Sequence, residues 1–599
     1  MKLHWRLPPP LLLISTIVVG GKHLVCSFQT TTSIISSPIR NTTPLRQGIK
    51  SSEREQTKAK PQDESYFDWN QQWYPILPVS YLDDDSPVSI TVLDEDLVVW
   101  KNKSGDDSSH DDVSVFLDCC PHRMAPLSTG KVVKNEETGS HNLACRYHGF
   151  EFNAKGHTTK IPMMKQTTDG TQSFKLSNLG MCARAYPTRT CGGLVYAFLG
   201  EYETEEDLPD IPTESIATKT EIENADWIFN VNPISYQGMM ENTLDPTHAP
   251  FTHEGMIGFA GIPFSSSDIV PMEKFEASNF GIGGFTMSHT PYQLYTAQKG
   301  GFDKETQRTF IPPCTISVQS LPFFRKYARS FIIIKNIYLS RVYENVASIL
   351  THYFQLFVSQ YYVWAFMQFS SETKMWFVPS TPTSMHVIAI IKKAPPSRIG
   401  KIAKFLDKTG SLSTFLDDFN YAMQYLSDYS YRFQSQDRMT MQGQDKRKWK
   451  LDMSQCLDLA PTVSDNGVAT FQKWTQRFGG LGPFPFAPKF KTTSAEDRPD
   501  FDRELSIWDS HAKFNPRMKR ILQSILTLQK VSQKCARVSF GALVSTALLP
   551  ILRRKIPVAP IIASLVLSIG LIDWTRGMQR RFFGKGNETW QKSLAIWGS

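Results

Sequence analysis

From residue 66 onward, short apolar runs of strand length alternate with polar turns. Ser89 to Val92, Leu97 to Trp100, Val113 to Phe116 and Leu194 to Leu199 read as strands, separated by Gly/Asp/Ser stretches such as Gly105 to Asp112. The acidic run Glu201 to Asp210 marks a domain boundary, and the pattern changes from Trp227. Tyr236 to Leu244 reads as a helix, Phe310 to Val318 and Met375 to Lys393 as strands of a second sheet, and Phe415 to Gln436 spaces its apolar residues helically. Phe323 to Phe369 is dense in Phe, Tyr, Ile and Val. It reads either as a buried helical insertion or as a surface that meets lipid or covers an apolar pocket.

The two ends follow other patterns. Lys2 and Arg6 precede a short apolar run, Leu11 to Gly20, and a small-residue site at Val25-Cys26-Ser27 followed by Phe28. This reads as a secretory signal, too short to span a bilayer. Gln29 to Lys60 is rich in Ser and Thr and has no acid before Glu53, as a transit peptide would be. A plain secreted protein with a disordered linker is the alternative. Near the other end lie two apolar runs, Val538 to Leu552 and Ile556 to Trp574, joined by Arg553-Arg554-Lys555 and flanked by Lys534, Arg537, Arg576, Arg580 and Arg581. They read as a membrane hairpin, or as a buried helical pair of a soluble domain.

Composition narrows the classes. With 599 residues the chain holds more than one domain, and 41% hydrophobic with 20% charged residues is ordinary for a globular protein. The net charge of +8 is spread without a compact basic patch, so no nucleic-acid partner is expected. Nine cysteines, an odd number without a repeating frame, argue against a disulfide scaffold.

Two cysteines have a chemical context. Cys120-Pro-His122 and Cys145-Arg-Tyr-His148 each offer one thiolate and one imidazole, the set for a two-iron cluster with two Cys on one iron and two His on the other. A structural zinc site from the same four residues is the competitor, although zinc sites more often pair Cys with Cys and His with His. Lys131 to His141, between the loops, reads as an insertion. Further on, Asp245-Pro-Thr-His248-Ala-Pro-Phe-Thr-His253 offers two imidazoles. With one distant carboxylate they would form a triad that leaves positions open for O₂. Asp245 stands where a carboxylate could orient a ligand imidazole. The third ligand is expected at Asp428, with Asp417, Asp418 and Asp437 as rivals.

On Trp73-Tyr-Pro, Leu97-Val-Val-Trp100, Cys120-Pro-His-Arg-Met-Ala-Pro-Leu-Ser, Cys145-Arg-Tyr-His-Gly-Phe, Glu241-Asn-Thr-Leu-Asp-Pro-Thr-His-Ala-Pro-Phe-Thr-His253 and Phe310-Ile-Pro-Pro-Cys314, the chain resembles the pheophorbide a oxygenase group of plastid Rieske monooxygenases. That group also holds chlorophyllide a oxygenase and Tic55-type proteins. The resemblance implies an α+β fold: a Rieske β-domain over 66–205, then a helix-grip (START-like) catalytic domain over 215–460 with 323–369 inserted. A helical extension over 461–530 and two transmembrane helices within 536–575 would follow, behind a presequence of 1–60. It implies a [2Fe-2S] cluster on Cys120, His122, Cys145 and His148, and mononuclear Fe(II) on His248, His253 and Asp428. Asp245 would connect the two centres, through the neighbouring subunit of a homotrimer. It further implies reduced ferredoxin as donor, O₂, an apolar tetrapyrrole substrate and a plastid membrane, here that of a complex plastid. Two other readings are carried: a hydroxylase of the chlorophyllide or Tic55 type with another substrate, and a redox-sensing translocon-associated protein without turnover. Relatives carry Cys-X-X-Cys before the membrane segment; here Asn515 and Met518 stand in the matching stretch, which makes thiol regulation there doubtful.

Overall fold

The computed structural model describes residues 66–103, 112–135, 139–164, 180–223, 225–254, 264–292, 306–319, 372–392, 411–426, 430–451, 462–484, 505–548 and 557–583. The presequence, the aromatic-rich segment 323–369 and Asp428 lie outside these residues.

The first part is all strand: β1 (Trp73–Pro78), β2 (Val88–Val92), β3 (Glu95–Lys101), β4 (Val113–Leu117), β5 (Lys131–Lys134), β6 (His141–Ala144), β7 (Glu151–Phe152), β8 (Thr158–Lys160), β9 (Ala185–Tyr186), β10 (Thr188–Cys191) and β11 (Leu194–Phe198). They form a three-stranded sheet, β1-β11-β10, and two four-stranded sheets, β2-β3-β4-β9 and β5-β6-β7-β8. Leu194–Phe198 is apolar throughout because it is the middle strand, covered on both faces. The segment expected as an insertion supplies β5 and the start of β6, registered as Lys131↔Ala144 and Lys134↔His141. Its polar composition hid it: β5 buries Val132 alone, and β6 buries the polar Asn142 along with Leu143 and Ala144.

The second part is one antiparallel sheet of seven strands, ordered β12-β18-β17-β16-β15-β14-β13. Its strands are β12 (Ala225–Asn232), β13 (Phe275–Gly281), β14 (Gly284–His289), β15 (Thr306–Ile311), β16 (Thr315–Gln319), β17 (Glu372–Thr381) and β18 (Ser384–Lys392). The run expected as a single strand over Phe310 to Val318 is instead two, β15 and β16. Pro312 and Pro313 have no N–H for a ladder, so the chain turns there. The helices are α1 (Tyr236–Leu244), α2 (Ser411–Leu426), α3 (Ser430–Leu451), α4 (Asn466–Arg477), α5 (Pro516–Leu548) and α6 (Val558–Phe583). The helical stretch read over Phe415 to Gln436 thus belongs to two helices, with 427–429 outside the described residues.

One core runs from the first strands to the seven-stranded sheet and includes Trp69, Tyr74, Tyr196, Tyr236, Phe310, Trp376 and Trp474. Trp69 is its joint. It meets Tyr236 edge-on at 5.4 Å and Trp474 at 6.1 Å, and its indole N–H donates to the Gly479 carbonyl at 2.7 Å. A separate small core, with Trp100, Phe116, Leu127 and Phe152, packs under Cys120 and Cys145.

Asn515 sits in a buried polar network that ties the C-terminal helices down. Its Nδ2 donates to Tyr81 Oη at 2.7 Å and Tyr421 Oη at 2.9 Å. His511, stacked on Tyr425 at 3.7 Å, donates from Nδ1 to the Phe229 carbonyl at 2.8 Å. Met518 is buried. Hydrogen bonding and packing thus engage Asn515 and Met518.

The first C-terminal apolar run is not a helix of its own. It is the end of α5, which is 33 residues long and begins at Pro516, well before the expected boundary at 536. α6 lies along it, with Ser539 Oγ donating to Ser564 Oγ at 3.0 Å and Gln579 Nε2 to Gln529 Oε1 at 2.7 Å. Among the described residues only Val558–Phe583 is long and apolar enough to cross a membrane. Val538, Leu548, Val566 and Leu567 stay exposed on this pair.

Candidate metal centres

Two loops bring the first set of ligands together. Cys120 and His122 follow β4, in a turn closed by Cys120 N–H donating to Ala125 O at 2.9 Å and Met124 N–H to Cys120 O at 2.8 Å. Cys145 to His148 link β6 to β7 in a matching turn, with Cys145 N–H on Phe150 O at 2.8 Å and Gly149 N–H on Cys145 O at 2.9 Å. Gly149 has φ +73°, a left-handed conformation that suits glycine. Both cysteines are buried, while the imidazoles keep part of their surface. His122 and His148 face edge-on with ring centroids 4.8 Å apart, and His122 stacks on Phe150 at 4.5 Å.

The electrostatics suit a metal. Burial, with the Cys145 thiol alongside, pushes the Cys120 thiol up to about 11. That cost of ionisation is one that a coordinating cation removes. His122 Nδ1 is buried without a hydrogen-bond partner. Burial, then His122 and Arg123, lower the pKa of His148, which keeps its imidazole neutral as a ligand must be. Among the described residues, three or more ligand atoms gather around one point only at His248, His253 and Asp437. In the quartet, Cys120 adjoins Cys145 and His122 faces His148, which is the layout for two irons.

The second centre is built on the segment after α1. Asp245 ends that helix and caps the next turn, its Oδ1 accepting from Thr247 N at 2.9 Å and Thr247 Oγ1 at 2.6 Å, with Pro246 at the first position. His248 closes this turn, and one further turn, Ala249–Thr252, delivers His253. Asp245 does orient His248, but through its backbone carbonyl, which accepts from Nδ1–H at 2.5 Å; its carboxylate serves as the cap. His253 Nδ1–H donates to Gln436 Oε1 at 3.0 Å. With both Nδ1 atoms bound to acceptors, both Nε2 atoms present lone pairs.

Among the described residues the carboxylate that meets them is Asp437, one of the rivals to Asp428, which lies outside those residues. Asp437 Oδ1 lies 3.1 Å from His253 Nε2 and 3.5 Å from His248 Nε2. On α3, Asp437 is buried and turned toward the two imidazoles. The rival Asp418 is claimed by Arg517 at 3.0 Å and Arg520 at 2.6 Å. The three ligand atoms lie within 4.8 Å of one another. Burial would raise the Asp437 carboxyl, but the His248 and His253 imidazoles beside it outweigh burial and lower its pKa. Burial would likewise lower His248, and Asp437 raises it instead. Two imidazoles and one carboxylate meeting at a buried point fit a non-haem iron.

Sequence reading missed the groups that hold these elements in place. Glu241 on α1 accepts from Gln237 at 2.7 Å, Gln472 at 3.0 Å and Lys448 of α3 at 2.8 Å. Asp445 of α3 caps the start of α1 through Ser235 N at 2.8 Å and Oγ at 2.6 Å. α1, which leads to the histidines, is thereby bound to α3, which carries Gln436 and Asp437. Gly467 lets α4 approach the other end of α1: a Cβ there would stand 2.2 Å from the Leu244 carbonyl.

The Rieske [2Fe-2S] domain family matches residues 72–178. Pheophorbide a oxygenase of Oryza sativa subsp. japonica is 34% identical over 255 residues, 41% of each chain. Protochlorophyllide-dependent translocon component 52 of Arabidopsis thaliana is 28% identical over 268 residues, 41% of this chain and 44% of its own. The chain thus matches less than half the length of these curated relatives. Among solved structures, dicamba monooxygenase bound to dicamba covers 69% of this chain and 97% of its own, at 14% identity and a TM-score of 0.41.

Proposed function

Because the chain belongs with the pheophorbide a oxygenase group of plastid Rieske oxygenases, we propose that it oxygenates a chlorophyll-derived tetrapyrrole with electrons from reduced ferredoxin. The observation that carries this reading is the convergence of His248, His253 and Asp437 in a chain that also holds the Cys120/His122/Cys145/His148 quartet. An electron-transfer protein needs the quartet alone; a buried second set of iron ligands is needed where electrons meet O₂. When bound, the mononuclear iron supplies open coordination positions for O₂ activation.

The chain's own groups do the rest. Cys120 and Cys145, which are buried, and His122 and His148, which keep part of their surface, would hold the cluster. The Asp245 carbonyl and Gln436 fix the His248 and His253 tautomers, and Asp437 supplies the anionic ligand. The seven-stranded sheet with α2 and α3 fits a helix-grip frame. Assembly as a homotrimer, with Asp245 facing a neighbouring subunit, belongs to the same proposal. The exposed apolar side chains of α5 and α6 support anchoring in a plastid membrane, with α6 crossing it.

The test is anaerobic reduction of the purified protein, followed by O₂ with pheophorbide a or chlorophyllide a. An oxygenated pigment found by mass spectrometry supports the reading. Reoxidation of the cluster with every pigment unchanged would refute it in favour of a redox sensor.

A further inference from the structure

Arg308 lies on β15 two residues before Phe310, on the sheet face that packs against the helices. Its Nη1–H donates to the Thr243 carbonyl at 3.2 Å, in the last turn of α1 and two residues before Asp245. Its Nε–H donates to His289 Nε2 at 3.3 Å. His289 Nδ1–H in turn donates to the Thr290 carbonyl at 3.0 Å, which leaves Nε2 as an acceptor. Burial, and then Arg308 itself, push His289 down to about 4, so this partner is neutral.

A carbonyl and a neutral imidazole satisfy two of the five guanidinium donors and none of its charge. Among the described residues no carboxylate lies within the 4.0 Å ion-pair distance of Arg308. Asp245 acts on it only from farther off, and its Oδ1 already holds Thr247. Arg308 and Tyr292 both keep part of their surface accessible. A partly enclosed cation with no counter-charge among the described residues gains from an anion that completes it.

We propose that Arg308 receives a carboxylate of the substrate on its accessible side, holding the ligand beside the segment that carries His248 and His253. The remaining N–H groups of the fork suit a two-point bond to a carboxylate. This inference rests on the proposed tetrapyrrole substrate and makes it more specific: the pigment enters as a free acid, and its propionate is recognised. A purely structural role, with Arg308 tying down the end of α1, would give the same hydrogen bonds, so the test must separate the two.

The experiment titrates full-chain protein in detergent with pheophorbide a and with its propionate methyl ester, following pigment fluorescence near neutral pH. The wild-type chain is expected to hold the acid more tightly than the ester. Arg308→Met should weaken the acid by about tenfold or more and leave the ester within about twofold. Arg308→Lys, which keeps charge but loses the fork, should retain part of the acid preference. Ester binding also reports that each variant is folded. Equal loss for acid and ester in both variants, or a wild-type chain that does not distinguish them, overturns the carboxylate site alone. Failure of the wild-type chain to bind either pigment overturns the site and the tetrapyrrole reading together.

Discussion

His253 and Gln436, 183 positions apart, meet through a 3.0 Å hydrogen bond from Nδ1–H to Oε1. The next residue on the same helix, Asp437, faces the other ring nitrogen at 3.1 Å. Two consecutive residues of α3 therefore hold one imidazole at both ends, and one of them also bears on His248. Outer partners of this kind set the tautomer and ring orientation of a ligand. Gln436→Leu is expected to weaken Fe(II) binding at this centre by about tenfold or more, and Gln436→Glu to restore it. Titrating iron into protein with an intact cluster measures both.

Asp437→Ala should remove the mononuclear iron and spare the cluster. Metal analysis is then expected to fall from about three irons per chain to about two, with the reduced-cluster EPR signal unchanged. Asp428→Ala should leave all three. The opposite pattern would return the ligand role to Asp428.

The Glu241–Lys448 pair is almost enclosed, each side chain retaining 13% of its exposure. Lys448→Met leaves that carboxylate with amide partners alone and should cost about 2–4 kcal/mol. Glu241→Gln combined with Lys448→Met should recover part of the loss, read as coupling in a double-mutant cycle of denaturation midpoints.

His511 predicts a pH dependence of stability. Burial holds its imidazole neutral and pushes its pKa from 6.5 down to about 4. The unfolded chain takes up a proton there near pH 6.5, whereas the folded chain resists until about pH 4. The stability this group contributes is thus complete above about pH 6.5 and lost as pH falls toward 4, by about 3 kcal/mol. His289, pushed to about 4, and His386, pushed to about 3, act with the same sign. His511→Gln should therefore lessen, without abolishing, the fall in urea midpoint between pH 7.5 and pH 5.

The ligand quartet was legible in the chain because each half lies within one tight turn, so Cys120 with His122 and Cys145 with His148 stand adjacent whatever the rest of the fold does. His248 and His253 were legible for the same reason, since Asp245, Pro246 and Pro250 set their turns locally. Apolar runs marked β2, β3, β4, β11 and the strands from β15 to β18, but not β1, β6 to β10 or β12 to β14. They could not mark β5, whose buried face is narrow, and the break at Pro312 was signalled by the Pro-Pro pair rather than by the apolar pattern. The third ligand was beyond local reasoning. Several acids lie on or near the two helices, and only the packing of α3 against α1 decides that Asp437 turns inward while Asp418 goes to two arginines. The same holds for Gln436, Glu241 and Arg308. Their partners lie between 65 and 231 positions away, apart from the helical neighbour Gln237 and His289 across one strand pair. Short-range stereochemistry placed the metal motifs; long-range packing chose their partners, because a helix can present any of its faces until another element covers one.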